Sequence, residues 1–157
     1  EMCIRDSIYA PESDLLYWAV RGHGAFKEAN GESRPISAIH HEHDQPDSLV
    51  VAISRRQKLE NLTRRLNPAI HYELIPLGSS SLKSCLVAEG VADCYVRLGP
   101  TGEWDTAAAQ CIVEAAGGRI LSLTLQPLSY NETESLENPD FIVMGDPDLA
   151  WGRILAH

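Results

Sequence analysis

GPTGEWDTAAAQCIVEAAGG, residues 99–118, decides more of the fold than any other stretch of this chain. An Ala-rich interior opens on Asp105, a good N-cap, and stops at Gly117-Gly118, so a helix is bounded at both ends. Gly-Pro-Thr-Gly in front of it makes a tight turn that holds Asp105 at the surface. A carboxylate there sits at the positive end of the helix dipole, where it is stabilised. Trp104 is expected to bury its ring and fix the turn. From these residues alone, Asp105 is either an N-cap and nothing more, or a carboxylate held out for chemistry.

Working outward, the hydrophobic period alternates between strand and helix. ADCYVRLG (92–99) reads as a strand. Before it, SSSLKSCLVAEG (79–90) puts Leu82, Cys85 and Leu86 on one helical stripe, and Gly90 closes that helix in a left-handed cap. LVVAIS (49–54) is a continuous apolar, β-branched run, the pattern of a strand buried on both faces. RRQKLENLTRRL (55–66) spaces leucines at 59, 62 and 66, which predicts an amphipathic surface helix. HYELIPL (71–77), RILSLTL (119–125) and FIVMG (141–145) read as strands. The segment 126–140 is a long loop, and DLAWGRILA (148–156) a closing helix. LLYWAV (15–20) and GAFKEA (24–29) pair across RGHG, and Asn30-Gly31 marks a second hairpin. Without repeats or a linker, the chain is one α/β (or α+β) unit.

The formal net charge is −9. That excludes wrapping nucleic acid, whose affinity rests on Lys and Arg, but leaves room for a small anionic ligand held by a few local cations. No run approaches the ~20 apolar residues of a membrane span. Setting Cys3 aside, Cys85, Cys94 and Cys111 are an odd set without CxxC spacing. Buried reduced thiols in a cytoplasmic protein are the expectation; peripheral attachment at the inner membrane face is left open.

Chemistry has few places to sit. In GSSSLKSC (78–85), Ser80 and Lys83 share a helical face. Hydroxyls and free N–H groups at a helix start suit an anion; the alternative is a capping serine cluster with a solvated lysine. Arg97, late in a strand, either holds a phosphate in two hydrogen bonds or is solvated. His41 and His43 of HHEH (40–43) lack a partner set at metal spacing, so a polar loop is expected. Asp146 and Asp148 of GDPD (145–148) are expected to cap the last helix.

Taken in order, YAP, RGHGAF, VAISRR, GSSSLK, CLVAEGVADCYVRLGPTGEWDTAAAQCIVEAAGG and SLENPDF resemble the inositol monophosphatase superfamily, from about Ile8 to about Met144. Within it the likeness is greatest to the CysQ-type 3'(2'),5'-bisphosphate nucleotidases. The resemblance implies the C-terminal half of a layered α/β/α/β/α sandwich, carrying the second sheet and its helices. It implies a Mg2+-dependent phosphatase of sulfur metabolism that takes a small phosphorylated nucleotide, adenosine 3',5'-bisphosphate, to AMP and phosphate. An inositol-1-phosphate or related sugar phosphatase is the alternative, and an inactive half-domain the non-enzymatic one. Asp105 matches a metal ligand that also lies near the substrate. Ser80, Ser81 and Lys83 match the helix start on the sugar and phosphate side, and Arg97 a position that approaches the substrate phosphate. Three positions depart from the pattern: Gln57 stands where a histidine is usual, Ser79 where glycine is frequent, and Ala109 where glycine is usual.

The family's other metal carboxylates, a Glu-Glu segment and an Asp-Pro-Leu-Asp-Gly-Thr turn, have no counterpart in these 157 residues. MCIRDS (2–7) resembles the in-frame translation of a sequencing-library adapter. Residues 1–7 are therefore expected to be non-native, and 8–157 to be the C-terminal part of one domain, lacking its N-terminal half. On that expectation the chain has exposed apolar faces, poor solubility and no turnover by itself. Whether 145–157 is a native extension stays open.

Overall fold

The computed structural model describes residues 4–55, 57–132 and 134–155. Residues 1–3 of the adapter-like stretch, Arg56 of VAISRR and residues 156–157 of the tail lie outside the described residues. The first sheet is a four-stranded meander: β1 (Arg5–Ala10), β2 (Leu15–Val20), β3 (Gly24–Ala29) and β4 (Glu32–Ile36), each antiparallel to the next. Asn30 and Gly31, both at positive φ (53° and 77°), form the two-residue turn between β3 and β4, whose twist matches the flanking strands. β1 begins inside the stretch 1–7, with Arg5 opposite Val20.

The second sheet has five strands: β5 (Ser48–Ser54), β6 (His71–Leu77), β7 (Cys94–Arg97), β9 (Arg119–Ser122) and β11 (Phe141–Met144). Their order is β6-β5-β7-β11-β9. β5 runs parallel to β6 and to β7, and β11 is antiparallel to both its neighbours. A short ribbon pairs β8 (Thr101–Gly102) with β10 (Glu137–Asn138).

Side-chain alternation then decides the layers. On one face of the five-stranded sheet Ala52, Tyr95, Phe141 and Val143 pack with the helices α2 (Ser80–Ala88) and α3 (Ala107–Ala115), which lie under Tyr17, Ala19 and Ala25 of the first sheet. On the other, Leu49, Val51, Ile53, Cys94, Val96, Ile142 and Met144 pack with Leu62 of α1 (Leu59–Thr63) and with Trp151 and Ile154 of α4 (Trp151–Ile154). Strands buried on both faces need no polar alternation, which is why LVVAIS and FIVM read as unbroken apolar runs. The result is four layers, sheet, helix, sheet, helix. The expectation of one sheet with its helices is too small, because residues 5–36 pair among themselves. A buried ion pair fastens the first sheet to α2: Glu89, 4% exposed, accepts from Lys27 Nζ at 2.6 Å and from Tyr17 Oη at 2.9 Å.

Both long helices end as the sequence predicts. At α3, Gly117 N–H donates to Glu114 O and Gly118 N–H to Val113 O, the paired bonds of a Schellman motif. Gly90 closes α2 the same way, bonding to Val87 O. Two helices are shorter than predicted. α1 is one turn, with Leu59 exposed, because Leu66 leaves the helix to bridge Leu155. α4 is also one turn, yet Leu149, Trp151, Ile154 and Leu155 are all buried, so residues 149–155 belong to the core. Cys85, Cys94 and Cys111 are buried free thiols.

On the outer face of the first sheet Trp18 and Phe26 stack with ring centroids 4.2 Å apart, and Leu16 and Trp18 line a shallow groove there. Both aromatics are only partly buried.

Candidate active site

Asp105 ends a 3-10 turn, Glu103–Asp105, and is not the N-cap of α3; that position falls to Thr106, and α3 starts at Ala107. Its Oδ2 instead accepts from Gly102 N–H at 3.2 Å, folding the carboxylate back across its own turn. Trp104 departs from expectation too. It is 71% exposed. One face of its indole lies so close over Gly102 that a Cβ there would stand 2.2 Å from Cε2, while the other face is open.

What fixes the turn is Asn138 of SLENPDF, a residue the sequence reading did not single out. Its buried amide donates to Gly102 O at 2.8 Å and to Thr106 Oγ1 at 3.0 Å, one on each side of Asp105. Asp140 accepts from Gly99 N–H at 2.7 Å, and Leu136 O accepts from Glu103 N–H at 2.9 Å. The signal was the quoted segment itself, but its hydrogen bonds run between residues more than thirty positions apart.

The other expected residues converge on a second residue that was missed, Tyr95. Its hydroxyl lies 3.0 Å from Ser80 Oγ. Lys83 Nζ stands 4.9 Å from its ring centroid, a cation–π distance. Burial pushes the phenol up from its ordinary value; the Ser80 hydrogen bond and the nearby Arg97 cation act against that, and the Asp105 charge adds to it. Ser80 and Lys83 thus meet at Tyr95, one at the hydroxyl and one over the ring, and the Arg97 and Asp105 charges act on the same phenol. Ser81, on the first turn of α2, is partly buried, and its hydroxyl has no partner among the described residues. Ser79 is the N-cap of α2, accepting from Leu82 N–H at 3.3 Å.

Lys83 is not solvated. It is 1% exposed, and Nζ donates to the carbonyls of Ser79 at 2.7 Å, Leu77 at 3.2 Å and Gly78 at 3.5 Å. All three ammonium hydrogens therefore face the strand-to-helix turn. Burial, with the Arg97 charge adding to it, pushes its pKa down to about 8 from 10.5.

This has a consequence for stability. Between about pH 8 and 10.5 the unfolded chain holds a proton that folded Lys83 has lost, so this group makes stability rise with pH. The thiols of Cys85 and Cys94 act oppositely: burial raises them above their ordinary 9.0. The unfolded chain ionises first there, so their contribution is present below pH 9 and lost above it. Tyr72, pushed up to about 12 by burial, adds to that loss from pH 10 upward. Thermal melts from pH 8 to 11 should show falling stability above pH 9, steeper in Lys83→Met than in the unaltered chain. Parallel curves would mean that Lys83 keeps its proton.

Arg97 Nη2 donates to Pro100 O at 3.1 Å, while its buried Nε has no partner among the described residues. Arg97 also lines a cleft of about 820 Å³ at the C-terminal ends of β5, β6 and β7, with Ser54, Arg55, Gln57, Lys58 and Gly78.

The histidine and GDPD segments lie elsewhere. His41 Nε2 is 2.7 Å from Asp93 Oδ1, and Asp93 Oδ2 accepts from Val50 N–H at 2.6 Å. Asp146 does not cap α4. It is buried and accepts from His41 N–H and Asp148 N–H, while its carbonyl takes Trp151 Nε1–H at 2.7 Å. These bonds fasten the segment between the sheets to the end of β11. Burial pushes the Asp146 carboxyl up, but the backbone N–H bonds from His41 and Asp148, with the nearby His40 and His41 side chains, outweigh it and hold the carboxyl below the usual carboxylate range. His43 is exposed.

The inositol monophosphatase family model matches residues 7–147. The chain belongs to the inositol monophosphatase family. Among relatives of known activity, it is 41% identical over 147 residues to the 3'(2'),5'-bisphosphate nucleotidase CysQ of Aggregatibacter actinomycetemcomitans, covering 94% of this chain and 54% of the relative. It is 38% identical over 148 residues to the CysQ of Haemophilus influenzae, with the same coverage. The chain spans about half the length of the curated relatives it matches. The crystal structure of CysQ from Bacteroides thetaiotaomicron superposes with a TM-score of 0.76 at 34% identity, over 92% of this chain and 58% of that one. Mycobacterium tuberculosis SuhB, at 21% identity, has the same fold, with a TM-score of 0.70 over 94% of this chain and 55% of that one. The Asp105 turn, Tyr95 and the basic cleft are therefore features of an inositol monophosphatase-family chain. Among the described residues no helix is long and apolar enough to cross a membrane.

Asp105 fits one position of a magnesium site. It is partly exposed, and only one of its carboxylate oxygens is engaged. The described residues contain no group of three or more His, Cys, Asp or Glu that could hold a metal. One carboxylate falls short of the expected cluster.

Proposed function

We propose that this chain contributes the substrate side of a phosphatase that removes the 3'-phosphate of adenosine 3',5'-bisphosphate, leaving AMP and phosphate, with Mg2+ as cofactor. The observation that carries the reading is the meeting of Ser80 and Lys83 at Tyr95, whose phenol also feels the Arg97 and Asp105 charges, beside a cleft with cationic walls. The relatives named as bisphosphate nucleotidases support the substrate class.

In this reading Arg97 takes a phosphate oxygen with its guanidinium, planar and permanently charged. The Ser80 and Ser81 hydroxyls receive the sugar and phosphate side at the start of α2. Lys83 acts one step removed: by gathering the carbonyls of residues 77–79 it holds the turn that presents Ser80, and its charge lies behind the site. Asp105 offers a carboxylate oxygen to a metal. Bound magnesium supplies charge neutralisation at the phosphate and an activated water. The remaining metal carboxylates come, in this proposal, from an N-terminal part of the same domain outside the 157 residues, and residues 1–7 are not part of the native chain. By itself the chain is then expected to bind without turnover.

The test is an assay of the complete protein with Mg2+ on adenosine 3',5'-bisphosphate and on inositol 1-phosphate. A higher kcat/KM on the bisphosphate is expected. Preference for inositol phosphate would overturn the reading in favour of an inositol or sugar phosphatase.

A further inference from the structure

We infer that Asn138 is a positioning residue for the Asp105 carboxylate: it holds the turn that carries the carboxylate, and magnesium affinity depends on it. The inference rests on the reading above, in which Asp105 is a metal ligand. It goes beyond that reading, because Asn138 touches neither metal nor substrate there.

The Asp105 turn is weakly held by its own bonds. A 3-10 turn has poorer hydrogen-bond geometry than an α-helix, and this one is three residues long, Glu103–Asp105. The bond that its carboxylate accepts, from Gly102 N–H, is long at 3.2 Å. Asn138 supplies what is missing. Its amide nitrogen carries two N–H donors. At 7% exposure they reach Gly102 O at 2.8 Å and Thr106 Oγ1 at 3.0 Å. Gly102 and Thr106 bracket the turn, so one side chain fixes both of its ends. The Thr106 hydroxyl gives its own hydrogen to Glu103 O, which leaves the oxygen free to accept from Asn138.

Asn138 is itself anchored. It lies opposite Thr101 in the β8–β10 ribbon. Asp140 accepts from Gly99 N–H at 2.7 Å, and Phe141, the next residue, is fully buried in β11 between β7 and β9. The turn is thereby referenced to the middle of the five-stranded sheet. A ligand is held best when its supporting groups stand on rigid elements.

The other half of the same amide argues that it is there for its donors. Asn138 Oδ1 is buried with no partner among the described residues, which is unfavourable. A side chain needed only to fill space would be apolar, and the ribbon pairs through its backbone. A local rule broken at a buried polar group is expected where function requires it. An ionised aspartate could not serve, since it has no hydrogen to donate and would face Gly102 O. Groups that orient a metal ligand from behind typically change metal affinity or activity by about 10–100-fold when removed.

The experiment compares the complete protein with its Asn138→Ala, Thr106→Val and Asn67→Ala variants. Thr106→Val keeps the shape and removes one of the two ties. Asn67→Ala is the stability control: it also deletes an asparagine amide, one that donates to Arg153 O at 3.1 Å and accepts from Ala69 N–H at 2.9 Å, on the far side of the five-stranded sheet. In calorimetric titrations Asn138→Ala should weaken magnesium by about tenfold or more, and Thr106→Val by about threefold. In the metal-free protein Gly102 N–H, the donor to Asp105 Oδ2, should exchange faster with solvent in both variants. With saturating magnesium, kcat should fall in Asn138→Ala while KM for the bisphosphate stays within about threefold. Asn67→Ala should lower the melting temperature and change none of these. Unchanged magnesium affinity in Asn138→Ala, or an equal loss in Asn67→Ala, would overturn the positioning role. So would weaker magnesium binding with Gly102 N–H exchange unaltered, because the carboxylate would then have stayed in place. If Asn138→Ala does not fold, Thr106→Val decides by the same criteria. Failure of the reaction assignment looks different: the complete protein would prefer inositol phosphate while Asn138→Ala still lost magnesium. If instead the complete protein hydrolyses the bisphosphate and Asn138→Ala binds magnesium as the unaltered protein does, the reaction stands and the positioning role falls.

Discussion

Alanine at Gly118 is expected to destabilise the fold by about 3 kcal/mol or more, the upper range for overpacking a closed site. A Cβ there would stand 2.3 Å from Met144 O and 2.9 Å from Val113 Cγ1. Met144 is in the middle of the core, paired with Arg119 on one side and Cys94 on the other, so its carbonyl cannot retreat without shearing the five-stranded sheet. The reason is close approach, not backbone conformation: Gly117 is the residue with positive φ, at 99°, and Gly118 lets α3 turn directly into β9 against β11. Gly102→Ala makes a useful contrast. Its contact is nominally tighter, 2.2 Å, but the atom it meets belongs to the Trp104 indole, which is 71% exposed and free to swing away. Urea unfolding of both variants should place Gly118→Ala far below Gly102→Ala. The reverse order would mean that the β9–β11 contact is looser than described.

Asp105→Asn in the complete phosphatase is expected to lower kcat by about a thousandfold, the scale of several kcal/mol of metal-assisted stabilisation. The substitution keeps the shape, and an amide oxygen can still accept from Gly102 N–H, so Asn138 and the β8–β10 ribbon continue to hold the turn. What disappears is the charge. The melting temperature should therefore barely move while activity and magnesium affinity fall together. Activity retained within about threefold would reduce Asp105 to a turn residue. The 157-residue chain should show no hydrolysis in either form; hydrolysis by the unaltered chain that Asp105→Asn abolishes would overturn the proposal that further metal ligands come from outside it.

Much of this was legible because local physics wrote it into the sequence. Gly90 and Gly117 closed the two long helices where expected, since no other residue enters a left-handed cap so cheaply. LVVAIS and FIVMG were read as strands because burial on two faces removes the polar alternation. The identity of the site residues came from a resemblance whose core, residues 78–118, contains both the serine-lysine helix and the Asp105 turn. The departures share one cause, partners that lie outside the local pattern. An acidic residue just before a helix predicts an N-cap, but the Asp105 carboxylate accepts from Gly102 N–H behind it and Thr106 takes the cap position. Sequence gives the helical face of Lys83 but not the carbonyls of Leu77, Gly78 and Ser79, at the turn from β6 into α2, that take its hydrogens. Trp104 was expected inside, as large aromatics often are, and lies outside.

By itself the sequence determined most strands and helices from residue 15 onward, though not β1 or the β8–β10 ribbon, along with where the long helices stop and the family. Each of these follows from periodicity, capping or a contiguous motif, all of which act within a few residues. Only the tertiary structure decided that residues 5–36 close into their own sheet, that Asn138 and Asp140 grip the Asp105 turn from more than thirty residues away, and that Ser80 and Lys83 meet at Tyr95. It alone brought Arg55, Lys58 and Arg97 into one cleft. Those are contacts between distant segments, made where parallel strands end side by side, and a hydrogen bond or a shared electrostatic field leaves no period in the chain to be read.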